Sequence, residues 1–259
     1  MGLRLTVIGP AAAWDDRRGW PSSCYLVEAG RGTRGGDDAI LLDMGQGSFA
    51  ALARRRDPAS LRAIFVSHLH PDHGIDLVPL RHWLRYGRAG LAAARIELDA
   101  PLGLRERHDA LLGQLGFLED FPGTPLASGR RHAGGLLIDV APVTHAAPSF
   151  AFRVSLAADG GAGLVYSGDC GRADDLLPLL RRGDTLLCEA SFGAGPGADD
   201  AIHLTADEAG AVAARAGAAR LVLTHIQPDR DRAAAARAAR SAFAGQVILA
   251  RPGLEVELD

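Results

Sequence analysis

The segment Ser67-His68-Leu69-His70-Pro71-Asp72-His73-Gly74 packs three imidazoles and one carboxylate into six residues. Neutral imidazole nitrogens and carboxylate oxygens are the donors that borderline divalent metals such as zinc prefer. On an extended approach His68 and His70 point to the same side, because side chains alternate with period two. Asp72 and His73 then turn toward a second position. A single histidine is more often a packed or solvated residue, and one pair arises by chance. Three with an aspartate at this spacing read as a metal-binding group.

The elements that must position this cluster are legible around it. Ala63–Val66 is a short apolar strand running into it, and Asp76–Tyr86 has the apolar spacing of a helix. The cluster therefore sits on a strand-to-helix loop. Upstream, Leu3–Ile8, Cys24–Glu28 and Ala39–Asp43 read as strands. Downstream, Ile96–Asp99, Leu136–Val143, Phe150–Leu156, Gly163–Ser167, Thr185–Glu189 and Arg220–Thr224 do so as well, with two more near Val247–Leu249 and Leu254–Leu258. Helices are expected at Leu104–Leu115, Asp174–Arg182, Thr205–Ala216 and Ala233–Ala242, with Asp207 and Glu208 in the first turn of the third, as the helix dipole prefers. Gly30–Asp38 and Ala157–Gly163 read as hairpin turns rather than linkers. Strands and helices in this order suggest two sheets with helices packed outside, built as one domain over residues 1–259.

His68, His70, Asp72 and His73 match in full the His-x-His-x-Asp-His hallmark of the metallo-β-lactamase superfamily, which the chain resembles over nearly its whole length. The resemblance implies an α/β, four-layer αββα sandwich of two mixed β-sheets with helices on the outer faces. It also supplies the remaining ligands in order: His145 in Ala141-Pro142-Val143-Thr144-His145, Asp169 in Tyr166-Ser167-Gly168-Asp169-Cys170, and His225 in Leu221-Val222-Leu223-Thr224-His225. Alone, His145 or His225 would be structural and Asp169 a turn former. In this context, His68, His70 and His145 are implied to hold one divalent ion, Asp72, His73 and His225 a second, and Asp169 to bridge them. The ions would be zinc or manganese. Two such ions about 3.5–4 Å apart generate hydroxide near neutral pH and polarise a phosphoryl or carbonyl oxygen. Relatives that use iron for redox chemistry replace the second motif histidine with glutamate, whereas His70 is retained here.

A finer resemblance is to the ribonuclease Z-like branch. Cys188-Glu189-Ala190-Ser191-Phe192 and His203-Leu204-Thr205 occupy the places of its Glu-Ala-Thr and His-Ser/Met-Thr elements, although Cys188 stands where that branch usually has histidine. Asp72, His203 and Glu189 are the residues implied for catalysis, with His203 protonating the leaving group and Glu189 orienting it. The bland readings are a surface histidine beside a Thr205 N-cap, and a buried glutamate paired with an arginine such as Arg172 or Arg251. Asp169 follows His145 by only 24 positions. Members that process transfer RNA insert a long arm there, so the expected substrate is a small or cyclic phosphodiester. Alternatives are carboxyl-ester, lactone or thioester hydrolysis, a ribonuclease Z-type endonuclease, or a metal-bearing module without catalysis. Relatives in this branch are commonly homodimers.

Composition sets the outer limits. All 28 basic residues are arginines, because the chain has no lysine, which excludes a Schiff-base nucleophile and a Walker-type lysine. A net charge of −3 gives no broad basic field for an extended nucleic-acid footprint. Cys24, Cys170 and Cys188 are widely spaced and read as reduced thiols, Cys170 as a small buried residue rather than a ligand. No stretch approaches a membrane span or a signal peptide, so a cytoplasmic location is expected. His82, His108 and His132 lie outside any motif and read as packing or surface residues. Trp83 and Tyr86 read as core packing or as a border of the cleft.

Overall fold

A computed structural model describes residues 2–30, 38–87, 95–157, 161–197 and 201–258. In chain order, strands β1 (Leu3–Gly9), β2 (Cys24–Ala29) and β3 (Ala39–Leu42) lead to helix α1 (Ser48–Ala53) and β4 (Ala63–Phe65). The single turn α2 (Pro71–Gly74), then α3 (Leu77–His82), β5 (Glu97–Asp99) and α4 (Leu104–Leu112) follow. Next come β6 (Gly129–Ala133), β7 (Leu136–Pro142), β8 (Phe150–Leu156), β9 (Leu164–Tyr166) and β10 (Thr185–Glu189). The last elements are α5 (Ala206–Ala216), β11 (Arg220–Thr224), α6 (Arg232–Ala242), β12 (Gln246–Leu249) and β13 (Glu255–Leu258).

The strands form two mixed sheets, ordered β13-β1-β2-β3-β4-β5 and β12-β11-β10-β9-β8-β7-β6. In the first, β3, β4 and β5 run parallel; in the second, β9 to β12 do. Period-two alternation divides each strand between two apolar layers. Ala63 and Phe65 of β4, Leu187 of β10 and Val222 of β11 fill the core between the sheets. Ile64 faces outward toward Leu77, Leu80 and Leu104 of α3 and α4. Leu186, Leu221 and Leu223 face Val212 of α5 and Ala235 and Ala239 of α6. The architecture is thus the expected four-layer αββα sandwich. Strands covered on both faces read as unbroken apolar runs, which is why β3, β4, β10 and β11 show no polar alternation.

Several boundaries differ from the sequence reading. Asp174–Arg182 is not a helix but a single 3-10 turn over Ala173–Leu176, since Pro178 breaks the next turn. The helix expected to Leu115 ends at Leu112, where Gly113 adopts the left-handed conformation (φ 63°). The helix expected over Asp76–Tyr86 is α-helical to His82 and then widens into a π turn over Trp83–Gly87. Helix α1 and strand β6 went unforeseen; β6 is a polar, largely exposed edge strand with little apolar signal. The tips of the two expected hairpin turns, residues 31–37 and 158–160, lie outside the described residues. Their flanking pairs, β2–β3 and β8–β9, are antiparallel as hairpins require. No helix among the described residues is long and apolar enough to cross a membrane.

Candidate metal centre

The seven candidate ligands lie beyond the carboxyl ends of β4, β7, β9 and β11, the end at which open α/β sheets concentrate ligand sites. Strand β4 runs into His68 and His70. Helix α2, begun by Pro71 at its first position, carries Asp72 and His73. His145 follows β7, Asp169 follows β9, and His225 follows β11.

Two groups result. In one, His68, His70, His145 and Asp169 converge; in the other, Asp72, His73 and His225 do. Within the first, His68 Nε2 lies 3.0 Å from His70 Nδ1, and His145 Nε2 lies 3.3 Å from the same atom. His145 turns its other nitrogen, Nδ1, to the Ile202 carbonyl at 2.7 Å. Within the second, His225 Nε2 is 3.2 Å and His73 Nε2 3.5 Å from Asp72 Oδ2. Asp169 stands between the groups, with Oδ1 3.4 Å from His73 Nε2 and 3.7 Å from His225 Nε2, and Oδ2 3.7 Å from His68 Nε2. All seven residues predicted from the sequence as ligands are therefore brought together.

The donor set fits divalent cations. Asp169 Oδ1 is buried and meets no hydrogen-bond donor among the described residues, an arrangement costly for a carboxylate unless a cation faces it. Imidazole nitrogens that approach one another at 3.0–3.3 Å likewise aim lone pairs at shared points. Charge agrees: Asp43, Asp72, Asp169 and Glu189 are all buried. Their partners are histidines, hydroxyls and main-chain N–H groups. Before any cation is counted, this field divides the histidines. Burial and the neighbouring His73 hold His68 well below its ordinary pKa. Burial also opposes charge on His73, but Asp169, Asp43 and Asp72 outweigh it and raise that imidazole well above its ordinary value. Asp169 is held far below the usual carboxylate range against its burial, chiefly by His225 and His73.

Supporting residues that sequence reasoning did not single out surround the groups. Asp43 is fully buried. Its Oδ1 accepts the Ser67 N–H at 2.6 Å, and its Oδ2 lies 2.7 Å from His73 Nδ1 while accepting hydroxyls from Ser67 (2.8 Å) and Tyr166 (2.6 Å). This fixes the proton on His73 Nδ1 and leaves Nε2 as the donor atom. Ser191 Oγ joins Glu189 Oε2 (2.6 Å) to His225 Nδ1 (2.9 Å). Among the described residues, Asp43 (φ 62°) and His225 (φ 55°) are the only non-glycine positions in the left-handed region. Such strain clusters at functional sites. The Asp-Met-Gly turn at a buried strand end marks Asp43 in the sequence as a turn residue, not as the partner of a histidine.

His203 stands beside both groups, its ring 4.9 Å from that of His145 and 5.9 Å from that of His225. Its Nδ1 is 2.9 Å from Glu189 Oε1, so the partner of Glu189 is the histidine and not Arg172 or Arg251. The remaining bonds of Glu189, from the Cys170 and Ser191 N–H groups at 2.8 and 3.0 Å and from the Ser191 hydroxyl at 2.6 Å, hold that carboxylate rigid. Burial opposes charge on His203, but the hydrogen bond and charge of Glu189 prevail and push it up to about 9. Its side chain is 14% exposed, so the bland reading of a surface histidine does not apply. Thr205 is the N-cap of α5 as expected, in a reciprocal capping box with Glu208. His203 can also join Asp169 and His225 as a third donor group.

The remaining calls sort by burial. Cys170 is buried, its thiol directed to the Arg172 carbonyl at 3.1 Å. His108 packs with hydrogen bonds to the Leu104 and Gly74 carbonyls, while His82 and His132 lie at the surface. Trp83 packs against Phe49, and Tyr86 is exposed.

The family description "Beta-lactamase superfamily domain" matches residues 38–226. The chain is 34% identical to "Uncharacterized protein Rv1339" of Mycobacterium tuberculosis, covering 95% of this chain and 86% of that one. It is 27% identical to "Probable metallo-hydrolase YhfI" of Bacillus subtilis, over 97% and 98% of the two chains. The crystal structure of YhfI matches with a TM-score of 0.83, covering 99% and 100%. Ribonuclease Z of Mycolicibacterium paratuberculosis is 29% identical, with 99% of each chain covered. That alignment spans 314 positions, so ribonuclease Z contains segments this 259-residue chain lacks.

Proposed function

The chain belongs to the β-lactamase superfamily, and from that premise we propose that it is a metal-dependent phosphodiesterase acting on small or cyclic phosphodiesters. The residues that would hold two zinc or manganese ions are His68, His70, His145, Asp72, His73 and His225, with Asp169 placed between the two groups. Bound there, the cations supply a nucleophile from water at neutral pH and offset negative charge on a phosphoryl oxygen. The protein's own residues do the rest. Asp43 and Ser191 hold His73 and His225 by their Nδ1 atoms. Glu189 holds His203 Nδ1, which leaves Nε2 to give a proton to a departing alkoxide.

The observation that carries this reading is the His203–Glu189 pair beside the two donor groups. An alkoxide is a poor leaving group and needs a proton in the transition state, whereas a metal-binding module without catalysis has no use for a rigidly oriented imidazole there. Restriction to small substrates is supported by the short β8–β9 hairpin, which occupies the span between His145 and Asp169. The net charge of −3 agrees.

The test is an assay of metal-loaded protein on bis(p-nitrophenyl) phosphate, cyclic nucleotides and acyl esters, with zinc and manganese compared. Turnover of the phosphodiesters, abolished by Asp169→Ala, is expected, with His203→Ala strongly reducing turnover of the cyclic nucleotides. Activity confined to acyl substrates and indifferent to His203 would sink the phosphodiester reading.

A further inference from the structure

Two buried tyrosines cross the core between the sheets. Tyr166, on β9 of the second sheet, reaches Asp43 at the end of β3 in the first, its hydroxyl donating to Oδ2 at 2.6 Å. Tyr25, on β2 of the first sheet, reaches Thr224 at the end of β11 in the second, with the oxygens 2.8 Å apart. The two rings pack at 4.9 Å, and both residues are almost wholly inaccessible. Around them the inter-sheet core is apolar: Val7, Leu42, Phe65, Phe152, Leu187 and Val222.

Phenylalanine would satisfy the packing at either position, and a buried hydroxyl is costly without a partner. The hydroxyls land at particular places. Tyr166 bonds the carboxylate oxygen that also holds His73 Nδ1. Tyr25 bonds the residue that immediately precedes His225. Both crossings thus end on the supports of one donor group, Asp72–His73–His225, whose first two members come from the first sheet and whose third comes from the second. Apolar contact between sheets is non-directional and sets no register. Hydrogen bonds with fixed length and angle do.

We infer that Tyr166 and Tyr25 are positioning residues that set the spacing of the two sheets at the Asp72–His73–His225 group, so that His73 and His225 meet one cation. The inference rests on the two-metal reading of the site. It is distinct from stability alone, because the other group, His68–His70–His145, is touched only one step further on, where Ser67 Oγ, bonded to Asp43 Oδ2, lies 3.1 Å from His68 Nδ1.

The experiment is calorimetric titration of chelator-stripped protein with zinc chloride, for wild type, Tyr166→Phe, Tyr25→Phe and the control Val154→Ala. The control removes apolar volume from the same core without touching either hydroxyl. Thermal midpoints without zinc are recorded for each. Both tyrosine variants are expected to bind one zinc as wild type does and the other on the order of tenfold more weakly, the scale of losses behind metal ligands. Val154→Ala is expected to lower the midpoint and leave both affinities unchanged. Tyrosine variants that titrate like wild type, or a control that weakens zinc to the same extent, overturn the inference. Should Tyr166→Phe fail to fold, Tyr25→Phe, which loses only a hydroxyl-to-hydroxyl bond, carries the same comparison. Wild-type protein that binds no zinc would overturn the metal reading itself, and the inference with it.

Discussion

His203 differs from the other five histidines at or beside the centre in what holds it. Its Nδ1 is taken by a carboxylate that is itself pinned by two main-chain N–H groups and a hydroxyl. An imidazole oriented in this way for proton donation should matter in proportion to the leaving group's need. A nitrophenolate departs unprotonated at neutral pH, and a ribose alkoxide does not. His203→Ala is therefore expected to slow cyclic-nucleotide hydrolysis by about 10²–10⁴-fold, the usual worth of general acid catalysis, and bis(p-nitrophenyl) phosphate hydrolysis by much less. Equal losses on the two substrates would indicate that His203 supports the fold or the metals instead. The seven candidate ligands were legible because the His68–His73 cluster declares itself by residue type and spacing, and the family resemblance supplies His145, Asp169 and His225 in order. Asp43 and Ser191 were not, since a lone aspartate in a turn and a lone serine have the same residue types whether or not a histidine lies behind them in space.

At the level of elements, the ligand loops are held by close backbone approach and by caps. Gly45 follows Asp43 at the end of β3, and a Cβ there would come to 1.9 Å from the carbonyl oxygen of Asp72. Gly45→Ala is expected to displace α2, lowering both bound zinc and the thermal midpoint; unchanged values for both would contradict this account. Helix α6 begins after the His225 loop with Asp231 as its N-cap, the carboxylate accepting from the N–H groups of Ala233 (2.8 Å) and Ala234 (3.0 Å). The Ala234 bond, then that of Ala233, holds this carboxyl below its ordinary 3.8. A carboxyl with a depressed folded-state pKa contributes stability above its unfolded value, and the contribution fades as pH falls through the lower folded value. Asp231→Asn keeps a capping oxygen without the charge. Urea midpoints from pH 5 to pH 2 should show a wild-type advantage over Asp231→Asn that disappears toward the acid end. Where sequence reading misjudged elements, competing local rules were the cause: Pro178 stopped a helix that its apolar spacing favoured, and polar β6 offered no periodicity to detect.

Across the whole molecule, the two ends of the second sheet carry different duties. The carboxyl ends of β9, β10 and β11 bear the donor groups, while the opposite end is tied by a buried ion pair. Arg153 lies against Asp184 through Nε (2.8 Å) and Nη2 (2.9 Å), and Asp184 also accepts the Gly163 and Arg181 N–H groups. Removing one partner of such a pair leaves an uncompensated buried charge, so Asp184→Ala is expected to destabilise the protein by about 3–5 kcal/mol. Its zinc affinity should match wild type, because the length of β10, about 3.3 Å per residue, separates Asp184 from Glu189 and the centre. Zinc titration together with urea denaturation checks both parts. By itself the sequence determined the layer order and the strand ends beyond which the candidate ligands lie. The layers follow from period-two and helical apolar patterns, the His68–His73 cluster from residue types that suit divalent metals, and the remaining candidate ligands from the family resemblance. Only the tertiary structure decided which side chains stand behind the ligands. Tyr166 meets Asp43 across 123 positions of chain, and Tyr25 meets Thr224 across 199. Such pairings depend on how two sheets stack, and no local pattern encodes the distance between strands that are neighbours only in space.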